Sequence, residues 1–156
     1  ASDRVAMLQL ATGGHDAFAV STIEIDRDGV SYTVDTLAVL AARHPGDRLV
    51  LLLGPDALAG LSTWRDPRGI AARAELVAVM RDGLDDPADI VARGGLVELL
   101  GRDAADRLVE TRVRMPAIGI RATDLRDAIA ANRSIRYRTP RAVERYIRSN
   151  GLYAGG

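Results

Sequence analysis

Two short apolar runs limit the folds open to this chain more than any other feature. Arg48 to Leu53 ends in Leu-Val-Leu-Leu-Leu, and Glu75 to Met80 reads Glu-Leu-Val-Ala-Val-Met. Neither alternates with polar residues, so each is expected to be a strand buried on both faces, as in a parallel sheet. Parallel neighbours need a crossover between them, usually a helix. Helical patterning is present on both sides. Ser31 to Ala42 places Val34, Leu37, Leu40 and Ala41 on one face and is stopped by His44-Pro45-Gly46. After the first run, Gly54-Pro55-Asp56 leads into a short helix.

The rest of the chain reads less sharply. Ser2–Asp3 can cap a first helix carrying Val5, Leu8 and Ala11. Ala17 to Asp26 alternates (Phe18, Val20, then Ile23, Ile25) and ends in the turn signal Asp-Arg-Asp-Gly, which predicts a strand. Asp85-Asp86-Pro87 can start a helix over Ala88 to Ala92, broken by Gly94-Gly95. Val109 to Ile120 holds strand-like material interrupted by Pro116. Helices are expected over Thr123 to Ala131 and Pro140 to Ser149, the second capped by Thr139 and ended by Asn150-Gly151. Strands alternating with helices give an α/β fold with helices on both faces of a mostly parallel sheet. Ligands in such folds sit beyond the C-terminal ends of the strands, which directs attention to Gly54–Asp56 and Ile120–Arg126.

Composition closes off several kinds of function. The length of 156 residues fits a single domain, 1–156. Lys+Arg and Asp+Glu are both 21, so bulk charge provides no grip on nucleic acid or an anionic membrane. With no cysteine, disulfides, thiolate metal sites and cysteine nucleophiles are excluded. His15 and His44 are too few and too far apart for a histidine-rich metal site, so no resident metal is expected. The longest apolar run is far too short to span a bilayer, and no signal peptide opens the sequence, so a cytoplasmic location is the default. A homo-oligomer is compatible with all of this.

Several residues admit both a bland and a functional reading. Thr33 stands at a helix start, beside free N–H groups that favour anions, and is either a plain cap or an anion contact. Trp64, the only tryptophan, lies between Thr63 and Arg65 in a polar loop; it is a packing residue or a partly open platform. Gly54 and Asp56 make either a ligand-contacting turn or a helix cap. Thr123 and Arg126, three apart at a helix start, share a face on which Arg126 offers a planar fork to phosphate. Arg121 either supplements that grip or is a solvated charge. The arginines between Arg133 and Arg148 read mostly as a solvated face, while Ile135, Tyr137, Val143, Tyr146, Ile147, Leu152 and Tyr153 read as packing that fastens the tail onto the sheet.

Four ordered segments carry a specific resemblance. They are Ser31-Tyr32-Thr33-Val34-Asp35-Thr36-Leu37; Leu53-Gly54-Pro55-Asp56-Ala57-Leu58 with Leu61-Ser62-Thr63-Trp64; Ile120-Arg121-Ala122-Thr123-Asp124-Leu125-Arg126; and Ser134-Ile135-Arg136-Tyr137 through Thr139-Pro140, Val143, Tyr146-Ile147 and Gly151-Leu152-Tyr153. Together they cover nearly the whole chain, which resembles the bacterial nicotinate-nucleotide adenylyltransferases. The resemblance implies a Rossmann-like nucleotidyltransferase fold and transfer of the adenylyl group of ATP, with Mg²⁺, to nicotinate mononucleotide. It implies that Thr33, the Val34 and Arg65 amides and Trp64 receive the acidic pyridine. It also implies that Gly54, Asp56, Arg121, Thr123 and Arg126 meet ATP, with Thr123 and Arg126 as the catalytic pair.

Two departures qualify the match. The family opens with a strand and a G-x-F-x-P-x-H-x-G-H loop whose histidines bind the ATP phosphates, and Gly13-Gly14-His15 is not that motif. The expectation is therefore a domain lacking its first strand–helix–strand unit, with little turnover by itself. In addition, Arg121-Ala122 stands where the family carries Ser-Ser or Ser-Ala. A non-catalytic nucleotide-binding remnant, or a sister adenylyltransferase with another acceptor such as pantetheine phosphate, are the alternatives. The Ser31–Leu37 and Trp64 segments speak against the latter.

Overall fold

A computed structural model describes residues 1–27, 29–81 and 86–155. The chain forms two compact units, Gly29–Ala117 and a second made of Ala1–Asp28 with Ile118–Gly156. Asp28 in the expected turn and Asp85 in the expected helix start lie outside the described residues.

The unit Gly29–Ala117 is built on a parallel sheet in the order β1 (Val50–Leu53), β2 (Glu75–Arg81), β3 (Val113–Met115). Val50 to Leu53 pairs with Glu75 to Ala78, and β2 continues to pair Val79–Arg81 with Val113–Met115. The helix before β1 is α2 (Thr33–Arg43), α1 being in the other unit. The β1–β2 crossover carries α3 (Pro55–Ala59), a 3-10 turn (Leu61–Thr63) and α4 (Pro67–Arg73). The β2–β3 crossover carries α5 (Pro87–Arg93), α6 (Leu96–Leu100) and α7 (Arg102–Glu110). Glycines segment this last stretch, with Gly95 and Gly101 both at positive φ, 62° and 85°. That conformation costs glycine little and interrupts any longer helix. The expected start at Asp86 holds: its side chain accepts from the Ala88 N–H at 2.9 Å, and Pro87 occupies the first turn.

Leu53, Leu58, Leu61, Ile70, Leu96 and Leu108 are fully enclosed at the centre of this unit. Burying each contributes about 1.5–3 kcal/mol. They join the sheet to α2–α7, and Arg68 fastens α4 to α6 by donating to the Leu99 carbonyl at 2.9 Å. One expectation for the sheet fails. Leu53 is buried, but Val50 and Leu52 are exposed, Leu52 by 62%. β1 ends the strand order, and the face bearing Val50 and Leu52 is uncovered among the described residues. An unbroken apolar run does not by itself reveal how many sides of a strand are covered.

The other unit is helical: α1 (Ser2–Thr12), α8 (Ala122–Ala130) and α9 (Arg141–Ser149). Ala128, Ile135, Val143 and Ile147 form its core, flanked by Met7, Leu125, Ile129 and Leu152. Ile135, Val143, Ile147 and Leu152 thus pack as expected, yet their burying partners are α8 and α1. Tyr137 and Tyr153, read as packing residues, are exposed, Tyr137 by 88%. Both lie at positive φ, which turns them out of the local chain path.

Three further corrections concern local structure. Residues 17–26 form no strand: 18–22 are irregular and 23–25 make a turn. Thr22 closes its own turn, its hydroxyl donating to Asp26 at 2.7 Å and its carbonyl accepting from the Ile25 and Asp26 N–H groups. Local hydrogen bonds of this kind compete with strand pairing. Ala1, not Ser2 or Asp3, caps α1, and neither side chain caps it. Pro140 precedes α9 as its cap residue, while the Thr139 hydroxyl donates to the Pro140 carbonyl at 3.2 Å. The expected C-terminal stop at Asn150-Gly151 stands, with Gly151 at φ 59° and the Leu152 N–H reaching back to Ile147 at 3.0 Å.

Candidate active site

The site begins where α2 begins. Tyr32 is extended and caps the helix through its carbonyl, which accepts from the Asp35 and Thr36 N–H groups at 3.0 and 3.1 Å. Thr33 and Val34 then occupy the first turn, where backbone N–H groups have no intrahelical acceptor. The Val34 side chain is buried and pins this end of the helix to the core. Thr33 is half-buried and makes no side-chain cap, so its hydroxyl is not consumed in the role that the bland reading gave it.

From the β1–β2 crossover, Arg65 reaches the start of α2, and Trp64 directly precedes Arg65 in the chain. The Thr63 hydroxyl donates to the Gly60 carbonyl at 2.7 Å and the Trp64 N–H to Leu61 at 3.1 Å, tightening the turn before the indole. Leu61, wholly enclosed, anchors that turn from below. Trp64 is half-buried and packs against the same core as Tyr32. The Arg65 guanidinium lies over the Tyr32 ring, 4.5 Å from its centroid. This cation–π contact joins the Trp64–Arg65 segment to the start of α2.

The residue that aims this segment was not singled out from the sequence. Asp66 sits in the left-handed region at φ 48°, and its carboxylate accepts from the Gly69 N–H at 2.9 Å to cap α4. A left-handed non-glycine residue is a strained choice. Here it reverses the chain between Arg65 and α4. Asp66-Pro67, a capping residue followed by a first-turn proline, is the signal that could have located it.

Gly54 and Asp56 follow β1 in the same unit. Gly54 is extended (φ −70°, ψ 169°), and a Cβ built there would meet nothing within 4 Å. No close packing inside the chain demands glycine, and the space above it is open. Asp56 is exposed in the first turn of α3 and does not cap that helix. It borders a depression of about 340 Å³ shared with Ile90 and Arg93.

Thr123 and Arg126 belong to the helical unit and meet on α8, Arg126 Nη2 lying 3.4 Å from Thr123 Oγ1. That distance is at the long end for a hydrogen bond, so both groups retain capacity for another partner. Thr123 lies inside the helix and does not cap it. The cap position belongs to Arg121, extended at φ −117°, ψ 142°, without a side-chain bond to the backbone. All three side chains are exposed, and Asp124 supplies the first-turn acid. Among the described residues no group of three or more histidine or carboxylate side chains could hold a metal ion. No described helix is long and apolar enough to cross a membrane.

Residues 1–128 match the Cytidylyltransferase-like family, which agrees with the parallel, helix-flanked sheet and places the chain among nucleotidyltransferase-type α/β proteins. The relatives narrow this. A protein of Frankia casuarinae named probable nicotinate-nucleotide adenylyltransferase is 41% identical over 155 residues, covering 99% of this chain and 75% of its own length. Proteins of the same name from Thermomicrobium roseum and Roseiflexus castenholzii are 41% and 43% identical, over 66% and 71% of their lengths. The chain belongs to the nicotinate-nucleotide adenylyltransferase family, whose members are transferases.

Proposed function

We propose that this protein acts in NAD biosynthesis by transferring the adenylyl group of ATP to nicotinate mononucleotide, giving nicotinate adenine dinucleotide and pyrophosphate. One observation carries the acceptor half of this reading. The Arg65 guanidinium lies 4.5 Å from the centroid of the Tyr32 ring, which joins the chain segment directly after Trp64 to the residue that precedes the first turn of α2. A carboxylate on a pyridine ring stacked against Trp64 could then accept from Thr33 Oγ1, the Val34 N–H and the Arg65 N–H. These are donors with no ionised acceptor among them, which suits an acid over its amide.

No covalent enzyme intermediate is needed. A phosphate oxygen of the mononucleotide attacks the α-phosphorus of ATP as the bond from that phosphorus to the α–β bridging oxygen breaks. Pyrophosphate leaves with the electron pair. Magnesium enters as the MgATP substrate, which normally keeps its metal on phosphate oxygens and waters and needs no all-protein cage. Thr123 and Arg126, with Arg121 beside them, are the residues proposed to hold phosphate oxygens. Arg126 offsets the charge that grows as pyrophosphate departs. Gly54 leaves room for backbone approach by the nucleotide, and Asp56 suits its ribose hydroxyls.

Because Trp64 is the only tryptophan, its fluorescence reports acceptor binding even without turnover. Nicotinate mononucleotide should quench it, and nicotinamide mononucleotide should need at least about tenfold higher concentration, the worth of one charge-assisted hydrogen bond. Equal quenching by the two would end the acid-specificity claim. Pyrophosphate release from MgATP plus nicotinate mononucleotide tests the reaction itself.

A further inference from the structure

The proposed reaction makes no use of the arginines of α9. Arg141, Arg145 and Arg148 recur at intervals of four and three, so they project within about 60° of one another on the helix. Val143 and Ile147, on the opposite side, enter the core. The three are exposed, and with Arg136 and Tyr137 of the preceding turn they line an open depression of about 560 Å³. Glu144 is the one carboxylate on its wall. No ion pair involving any of the four arginines occurs among the described residues.

This arrangement concentrates like charge on one side of one helix in a chain whose formal net charge is zero. Like charges one turn apart weaken a helix, and a single carboxylate does not offset four cations. The strain in the adjoining turn is local as well. Tyr137 is held at φ 66°, which presents its ring to solvent with the Arg136 guanidinium 5.0 Å from the centroid on one side. Guanidinium groups in this density, with no carboxylate partners, match the non-bridging oxygens of successive phosphates.

We propose that this depression seats a linear oligophosphate chain, either inorganic or the tail of a nucleotide. The inference does not depend on the acceptor reading above. The chain would lie along the Arg141–Arg145–Arg148 row, with Arg136 closing one end. A nucleoside carried on it would meet the exposed Tyr137 ring.

Titration calorimetry of the full chain with tripolyphosphate and, separately, ATP tests this. Tripolyphosphate should bind the parent protein. Arg145→Gln with Arg148→Gln, both exposed and away from the core, should weaken that binding by at least about tenfold. Glu144→Gln should tighten it, a gain that a merely structural role would not produce. Thr123→Ala with Arg126→Gln should remove only the oligophosphate held at the proposed ATP site and leave the binding that the Arg145/Arg148 variant loses. Absence of binding to the parent, equal binding by the double arginine variant, or loss only with the Thr123/Arg126 variant would overturn the proposal. Tyr137→Leu separates the two sources: weaker ATP binding at constant tripolyphosphate binding identifies a nucleotide, and no change in either identifies the bare chain.

Discussion

The Tyr146 hydroxyl donates to the Asp3 carboxylate at 2.9 Å, joining residues 143 positions apart. This bond stitches α9 to α1, next to the small core of Ala128, Ile135, Val143 and Ile147. The hydrogen bond to Asp3 raises the phenol above its ordinary value of 10.0, with burial and the Asp3 charge acting in the same direction. A phenol raised in the folded state stabilises the fold fully below the unfolded value. Its contribution is lost as pH rises through the folded one. Thermal melts should therefore show stability falling from about pH 10 upward, and Tyr146→Phe should remove that component of the decline. An unchanged alkaline profile in the variant would show that Asp3 does not hold the proton there.

Leu61 links the core to the candidate site. It is 0% exposed beneath the turn that presents Trp64. Leu61→Ala should cost about 2–5 kcal/mol in urea unfolding. It should also shift Trp64 emission to longer wavelength as water reaches the indole.

The turn at Asp66 makes a sterically sharp prediction. A Cβ on Gly69 would collide with the Asp66 carboxylate that caps α4. Gly69→Ala must displace that cap, at a cost of about 0.5–2 kcal/mol, visible as a lowered denaturation midpoint. Since Asp66 directly follows Arg65, the same variant should raise the KM for the acceptor more than it changes kcat.

A double-mutant cycle on Tyr32→Leu and Arg65→Gln isolates the contact that gathers the acceptor cradle. Coupling of about 0.5–1 kcal/mol is expected for an exposed cation–π pair. Zero coupling would mean that the two segments are held together by the core alone.

Much of the fold was legible because its signals are local. β1 and β2, α2 with its stop, and the capped start of α5 each follow from a few adjacent residues. Residues 17–26 misled because four apolar side chains in alternation satisfy a strand pattern, while Thr22 and Asp26 satisfy each other within one turn. Tyr137 misled because hydrophobic character says nothing about a positive φ. Segmentation at Gly95 and Gly101 left α6 and α7 unread. In the candidate site, Thr33, Trp64 and Arg65 were picked out by residue type and resemblance. The stack of Arg65 on Tyr32 was beyond reach, since it depends on how a crossover folds back over α2. Spacing in the chain encodes nothing of that return.

β1 has a practical consequence for handling the protein. Leu52 faces outward, and the strand's outer side has no strand beside it among the described residues. A row of unclaimed amide and carbonyl groups beside outward leucine and valine side chains is a template that recruits whatever extended peptide comes first. Refolding at high concentration offers neighbouring molecules that role, so recovery of native material should rise steeply as the refolding mixture is diluted.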